Sequence, residues 1–402
     1  MNKKFLIIGA SAAGLGAAVK LRDLDKTIDI TCITAEQEMP YNRCLLADFL
    51  AGSKTAEQVA TKPQEYFDAN NIKLLRGTKV THIEPTLNRI RLESGDHLEY
   101  DYLFIGTGRT APRLPIPGNQ LANVFSFYDL QDTKALAACI TQNNIKRATV
   151  IGAGLSGLEC ADALTAYNLQ IDVIERGNQV LGQQIDQEGS DLLKSLMTKF
   201  NVTLHTNCTV KKIIGDSTVT GVTLSTGQNL PSDLVIFATG GMLSTPLARE
   251  AGITCSESGI ITNEFMQTNI PNIFAGGDVC LVRNQLSGDL IQSCLWTDAI
   301  LQGMAAAHGM LGNPKKYAGT LIVTSSNIFG TKFVTCGPVN NPPQHYAAHF
   351  KRTTESYHKF LTLDGRLKGF VMIGNVDNVG SLRKKLLDDS EFIIDPIDSS
   401  KS

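Results

Sequence analysis

The residues of this sequence best suited to chemistry are two glycine turns and the acids that follow them. Gly9-Ala10-Ser11-Ala12-Ala13-Gly14 comes straight after the apolar run Phe5-Leu6-Ile7-Ile8. Gly152-Ala153-Gly154-Leu155-Ser156-Gly157 comes straight after Ala148-Thr149-Val150-Ile151. Glycines at such a turn let the backbone approach a pyrophosphate, and a helix starting there offers it unpaired N–H groups and about half a positive charge. An acid stands about twenty residues beyond each turn, Glu36 in the first case and Glu175 in the second, where a carboxylate can accept ribose hydroxyls. The second turn is an unmodified GxGxxG, whereas the first carries Ser11 at the middle glycine position. Two such sets would hold two dinucleotides, whose own chemistry a protein orients rather than supplies.

The elements that must position these residues read as strand, turn, helix and strand. Around the first turn they are the apolar strand, an alanine-rich helix to about Arg22 and a strand over 28–33; around the second, a strand over 148–151, a helix over 158–167 and a strand over 171–174. Each unit closes on an apolar strand and a Thr-Gly: Tyr102-Leu103-Phe104-Ile105 before Gly106-Thr107-Gly108, and Val235-Ile236-Phe237 before Ala238-Thr239-Gly240. A module that occurs twice is far harder to reach by accident than one glycine pattern. A further apolar strand, in Pro271-Asn272-Ile273-Phe274-Ala275-Gly276-Gly277-Asp278, delivers Asp278 at a glycine turn, and Trp296 opens a helix to Gly309. From about Tyr317 the texture changes. Strands over 357–363 and 367–373 flank Asp364-Gly365, a type I′ hairpin signal, and a charged helix over 381–387 follows. Pro112, Pro115 and Pro117-Gly118 form a stiff crossing between domains.

The totals set bounds. A chain of 402 residues, 43% hydrophobic and 19% charged, is expected to fold as two or three soluble globular domains. Its formal net charge of −2 gives no hint of nucleic acid or an acidic membrane as partner. Nine cysteines without CxxC or CxxxxC make neither a disulfide framework nor a metal knuckle. Reduced thiols of a cytoplasmic protein account for all of them except Cys44, which is considered below. Lys3-Lys4 before the first apolar stretch imitates a secretory signal, but glycines interrupt it and it runs into Lys20-Leu21-Arg22-Asp23 without a cleavage-like site. No run of about eighteen apolar residues occurs, so no membrane span is expected. The histidines are scattered without metal spacing, and no metal site is expected.

Taken in order, the first phosphate turn, Pro40-Tyr41-Asn42-Arg43, Thr107-Gly108, the GxGxxG with Glu175, Ala238-Thr239-Gly240 and Gly277-Asp278 resemble the pyridine nucleotide–disulfide oxidoreductase superfamily of FAD flavoproteins. The ending, Tyr357, Asp364-Gly365-Arg366 and Ile373-Gly374-Asn375-Val376, resembles its NADH:rubredoxin oxidoreductase-like branch, which is similar to the flavoprotein part of NADH-dependent nitrite reductases. The resemblance implies an α/β fold class: two Rossmann-like three-layer dinucleotide-binding domains plus a small C-terminal α+β domain. It divides the chain into an FAD domain in two parts, 1–111 and 241–316, an NAD domain over 112–240 and a C-terminal domain over 317–402.

By the same resemblance, Gly9, Ser11, Ala12, Ala13 and Gly14 hold the FAD pyrophosphate and Glu36 its adenosine ribose. Arg43 lies along the flavin nucleotide, and Val80 meets adenine through its backbone. Thr107 and Gly108 close over the cofactor, Gly277 and Asp278 take the ribityl chain, and the helix from Trp296 aims its N-terminus at the flavin pyrimidine ring. In the second unit Gly152, Gly154, Leu155, Ser156 and Gly157 take the pyrophosphate of the nicotinamide nucleotide, with Glu159 and Gly240 also at that nucleotide's site. Glu175 takes the adenosine ribose and repels a 2′-phosphate, so NADH is favoured over NADPH, although Arg176 beside it works the other way. Relatives pair the glutamate at Glu159 with a lysine from the first flavin loop. That position is Asp48 here, so no pair is expected and Glu159 is expected instead to open its helix.

The implied chemistry is hydride transfer from NADH to FAD, then delivery of electrons to an acceptor, which the resemblance makes a small carrier protein of the rubredoxin or ferredoxin type. Cys44 opens a second reading. It falls where the single-cysteine relatives carry a redox thiol, and a thiolate near Arg43 could attack a disulfide, persulfide or peroxide. Leu45 and Asp48 replace the residues that flank that cysteine in those relatives, and a packing thiol is the competing account. A third reading, of another class, is an FAD- and NADH-binding redox sensor. Lys351-Arg352 and Arg383-Lys384-Lys385 are either a basic patch for an acidic carrier or solvated clusters offset by neighbouring acids. Monomer and homodimer are both open.

Overall fold

In the computed structural model, which describes residues 2–111 and 113–392, Pro112 of the proline crossing lies outside the described residues. The chain forms two compact units. The first comprises Met1–Leu46, Lys54–Thr110 and Gly241–Thr320; the second comprises Ala47–Ser53, Ala111–Gly240 and Leu321–Ser402.

The first unit is built on a five-stranded sheet in the order Ile273–Ala275, Tyr102–Ile105, Lys4–Ile8, Asp29–Ile33, Ile72–Leu75, every neighbouring pair parallel. Its strands are short continuous runs of bulky apolar residues because both faces are covered, and Phe5, Ile7, Leu103 and Phe104 are fully buried. Strand order reverses between Lys4–Ile8 and Tyr102–Ile105, so a crevice opens at their carboxyl ends, where Gly9 and Gly106 stand. The helix Ala12–Leu24 leaves that crevice and crosses the helix Trp296–Met310 at small residues. A Cβ on Gly303 would lie 2.0 Å from the Ala13 carbonyl oxygen, and one on Gly16 would lie 2.5 Å from that of Ile300. A three-stranded antiparallel sheet, Val80–Glu84, Arg89–Leu92 and His97–Glu99, completes the unit.

The second unit repeats the plan. Its parallel sheet runs Val202–His205, Gln170–Ile174, Arg147–Ile151, Leu234–Phe237, Val124–Ser126, and strand order reverses beside Arg147–Ile151. The C-terminal part of this unit is a five-stranded antiparallel sheet, Val323–Ile328, Thr331–Cys336, Arg366–Ile373, Tyr357–Leu363, Ala347–Arg352, covered by the helix Val379–Leu387. Asp364 and Gly365 take φ of +49° and +72°, the left-handed pair that a type I′ hairpin requires. A buried anchor ties this sheet to the parallel-sheet part of the same unit. Tyr357 Oη and Lys359 Nζ donate to the Asp186 carboxylate at 2.8 and 2.7 Å, and that carboxylate also caps the helix Gln187–Met197. Removing one partner of such a pair strands a buried charge. Among the described residues no helix is long and apolar enough to cross a membrane, and no group of three or more metal-ligating side chains gathers.

Candidate functional site

At the first crevice the chain closes on itself through two glycines. Gly9 sits at φ +96°, where a Cβ would lie 2.2 Å from the Gly106 carbonyl oxygen. A Cβ on Gly14 would lie 1.8 Å from the Gly9 carbonyl oxygen, so the helix can approach the strand only without a side chain there. Ser11, between them, is the N-cap of the helix Ala12–Leu24 with an ordinary extended backbone and makes no side-chain capping bond. The helix therefore starts without the side-chain acceptor that usually serves its first N–H groups, and that is where anions bind.

Around this turn the remaining residues form a chain of polar contacts. Glu36 accepts a hydrogen bond from Tyr41 Oη at 2.8 Å and is ion-paired with Arg43, whose guanidinium stands 5.3 Å from the Tyr41 ring centre. Val80 is half-buried at the start of its strand, opposite Leu92. Thr107 Oγ1 donates to the Ser244 carbonyl at 3.0 Å, and Gly108 turns the chain at φ +61°. Gly277, at φ +82°, donates its N–H to the buried Gln302 Oε1 at 2.7 Å. Burial pushes the carboxyl of the next residue, Asp278, upward, while Arg109 and Arg43 pull it down. Trp296 is half-buried at the first position of its helix, and the N-cap, Leu295, has no capping side chain. Cys44 is exposed in the short turn Arg43–Leu45, its N–H bonded to Asn42 Oδ1 at 3.0 Å.

The second crevice has the same closure. Gly152 lies at φ +111° with a Cβ position 2.5 Å from the Ala238 carbonyl oxygen, and a Cβ on Gly157 would lie 2.0 Å from that of Gly152. Gly154 is the N-cap, and a Cβ built there meets nothing within 4 Å. Leu155 and Ser156 are the first two residues of the helix Leu155–Thr165, which begins three residues earlier than the sequence pattern suggests. The final glycine of the motif lies inside the helix, where close packing needs it. Glu175 accepts from the N–H of Ala153 at 2.8 Å and of Gly177 at 2.7 Å. Gly240 turns at φ +86°, with open space around its Cβ position.

Glu159 requires a correction. It is the fifth residue of its helix and not in the first turn, so it does not open the helix. Its carboxylate accepts from Ser326 Oγ at 2.7 Å, and burial raises its pKa, with Asp48 and Asp162 adding to the rise. Asp48 thus acts on Glu159 as a like charge where the relatives' lysine would attract it.

Arg109, Cys294, Gln302 and Ser326 join these clusters without having stood out in the sequence. Arg109 had the clearest signal, because it follows the Thr107-Gly108 turn directly. The others are brought in by contacts across long stretches of chain.

Comparison with known proteins now adds to this geometry. Residues 3–303 match the family model described as pyridine nucleotide-disulphide oxidoreductase. The chain is 32% identical over 329 residues to an NADH oxidase of Methanocaldococcus jannaschii, covering 80% of this chain and 73% of that protein. It is 27% identical over 392 residues to the NADH-rubredoxin oxidoreductase of Clostridium acetobutylicum, covering 97% of this chain and 96% of that one. Among solved structures, the ferredoxin reductase for the CYP199A2 system from Rhodopseudomonas palustris superposes with a TM-score of 0.89 at 26% identity, over 97% of this chain and 96% of that one.

Proposed function

We propose, from the premise that this chain belongs to the pyridine nucleotide-disulphide oxidoreductase family, that it passes electrons from NADH through FAD to a small electron-carrier protein of the rubredoxin or ferredoxin type. The chain is an FAD-containing, NAD(P)H-dependent oxidoreductase. When bound, FAD would supply hydride acceptance and onward electron transfer, chemistry that no side chain supplies.

The residues present fit both groups. Each crevice ends in a helix start without a side-chain cap, and at Gly154 a Cβ meets nothing within 4 Å, which leaves room for a phosphate. The N–H groups that follow Ser11 and Gly154 would hold the two pyrophosphates. Glu36 and Glu175 would take the adenosine riboses, and the latter favours NADH over NADPH by repelling a 2′-phosphate. Asp278 would hold the ribityl chain, and the N-terminus of Trp296–Met310 would face the electron-rich end of the flavin ring.

The observation that supports a carrier protein as acceptor is the end-to-end match with the NADH-rubredoxin oxidoreductase, which extends beyond residue 303 into the C-terminal antiparallel sheet. A second reading rests on Cys44, an exposed thiol one residue from Arg43, which would reduce a small disulfide, persulfide or peroxide together with the flavin. None of the nine cysteines stands in a disulfide, which suits a reducing compartment such as the cytoplasm. Stopped-flow reduction by NADH, followed by reoxidation with a panel of acceptors, separates the readings. Under the carrier reading Cys44→Ser reoxidises with rubredoxin or ferredoxin as fast as wild type; loss of turnover in that variant hands the role to the thiol. Slow reoxidation by every acceptor would favour a sensor.

A further inference from the structure

Arg109 is held by a carbonyl and a sulfur rather than by a carboxylate. Its guanidinium bridges two distant segments of that unit, Nη2 donating to the Gly241 carbonyl at 2.6 Å and Nη1 to the Cys294 sulfur at 3.4 Å. Its Nε is buried and has no acceptor among the described residues. A buried donor left in that state is costly, and the cost falls when an electron-rich atom arrives. Arg109 and Arg43 are the cations that act on the buried Asp278 carboxyl. Arg43 is already ion-paired with Glu36.

Its neighbour Cys294 invites a nucleophilic role, but the surroundings oppose one. Burial and Asp278 push that thiol up to about 11, against a smaller downward pull from Arg109, so it stays protonated at neutral pH. Cys294 holds φ +49° two residues before the helix Trp296–Met310, and a sulfur fixed there is a weak acceptor that aims the guanidinium. The apparent redox thiol is an orienting contact.

We propose that Arg109, held by Gly241 and Cys294, sets the redox poise of the bound flavin by favouring its reduced, negatively charged form over the neutral oxidised one. The proposal rests on the reading of Thr107-Gly108, which Arg109 directly follows, and of the start of the helix Trp296–Met310, two residues after Cys294, as flavin contacts. In a partly buried site a neighbouring charge acts through a low effective dielectric, so its removal is felt in the equilibrium and not only in the rate.

Anaerobic dye-coupled titration of the FAD-loaded protein reads that equilibrium. Arg109→Gln lowers the ratio of reduced to oxidised flavin at a fixed potential by about tenfold, or about 30 mV for a two-electron couple. Arg109→Lys, which keeps the charge, recovers most of the difference, a rescue that a purely structural role would not give. Arg109→Met supplies a second charge-free side chain should glutamine disturb the local fold. Unchanged poise in the charge-free variants with FAD bound overturns the assignment alone. Wild-type protein that takes up no flavin overturns the assignment and the FAD reading together.

Discussion

The two phosphate turns share one backbone and differ in how they treat their middle residue and their acid. In both, the outer glycines are compulsory. A Cβ at Gly14 or Gly157 would lie 1.8 or 2.0 Å from a carbonyl oxygen of the preceding turn. The middle position is another matter. Ser11 and Gly154 both serve as N-cap with extended backbone angles open to any residue. At Gly154 the place of a Cβ is free of protein. Serine in the first turn is therefore no damage to the motif: the outer glycines serve the fold, and the middle position tolerates a side chain. The acids differ as well. Glu175 is gripped by two backbone N–H groups, one of them in its own phosphate turn, while Glu36 is held by two side chains, Tyr41 and Arg43. The acid of the second turn is set by backbone, and that of the first by side chains.

The largest effect that could break this comparison is at the outer glycines. Gly14→Ala and Gly157→Ala each destabilise their unit by about 3 kcal/mol or more, because the clash is with backbone that cannot yield. Thermal unfolding with each nucleotide present reads the loss, Gly14→Ala costing flavin retention and Gly157→Ala the NADH-induced shift. Equal tolerance of alanine at the middle and outer positions would contradict the division of roles.

The acids come next. Glu175→Gln removes two charge-assisted bonds from backbone donors and costs about 1.5–3 kcal/mol, with a rise of about tenfold in the KM for NADH. Glu36→Gln costs about 1 kcal/mol or less in the apoprotein, since its ion pair with Arg43 is about a third exposed on each side (34% and 28%). Denaturant unfolding of the two variants side by side checks the order.

Exchanging the middle residues is milder. Gly154→Ser leaves apoprotein stability within about 0.5 kcal/mol of wild type while weakening NADH binding severalfold, and Ser11→Gly changes stability as little. Calorimetry with NADH separates the two effects.

The smallest effect comes from a helix start of the opposite kind. The helix Leu130–Gln142, in the second unit, carries its own acids: Asp129 caps it by accepting from the N–H of Asp132 at 2.7 Å. Burial, with Asp129 beside it, pushes the Asp132 carboxyl up from 3.8 to about 6, Arg113 pulling the other way. A carboxyl whose pKa is raised by folding supports the fold when protonated, so its contribution is complete below 3.8 and is lost as the pH rises through about 6. Asp132→Asn accordingly raises the unfolding temperature at pH 8 relative to wild type, and the difference closes below about pH 4. An unchanged gap from pH 4 to 8 would show that Asp132 does not feel this environment.

How much of this was legible in the sequence follows from the range of the contacts. The strand runs, both glycine turns and the Asp364-Gly365 hairpin are set by neighbours in the chain, and each lies where the pattern put it, to within a few residues at the ends. The helix after the second turn begins three residues before the expected Leu158, because Gly157 lies inside its first turn and is tolerated there for close packing. Glu159 was misjudged because its hydroxyl partner, Ser326, lies 167 residues away on another sheet of the same unit. Arg109 went unnoticed for the same reason. It directly follows the Thr107-Gly108 turn, but its partners, Gly241 and Cys294, lie 132 and 185 residues further on.

An FAD-containing, NAD(P)H-dependent oxidoreductase must retain flavin and let NADH reduce it. The most direct test is the visible spectrum of purified protein reconstituted with FAD, recorded anaerobically before and after NADH is added. The account predicts a stoichiometric yellow flavoprotein whose flavin band bleaches on mixing with NADH and returns when a rubredoxin or ferredoxin is supplied. Colourless protein that retains no flavin, or bound flavin that NADH leaves oxidised, would contradict it.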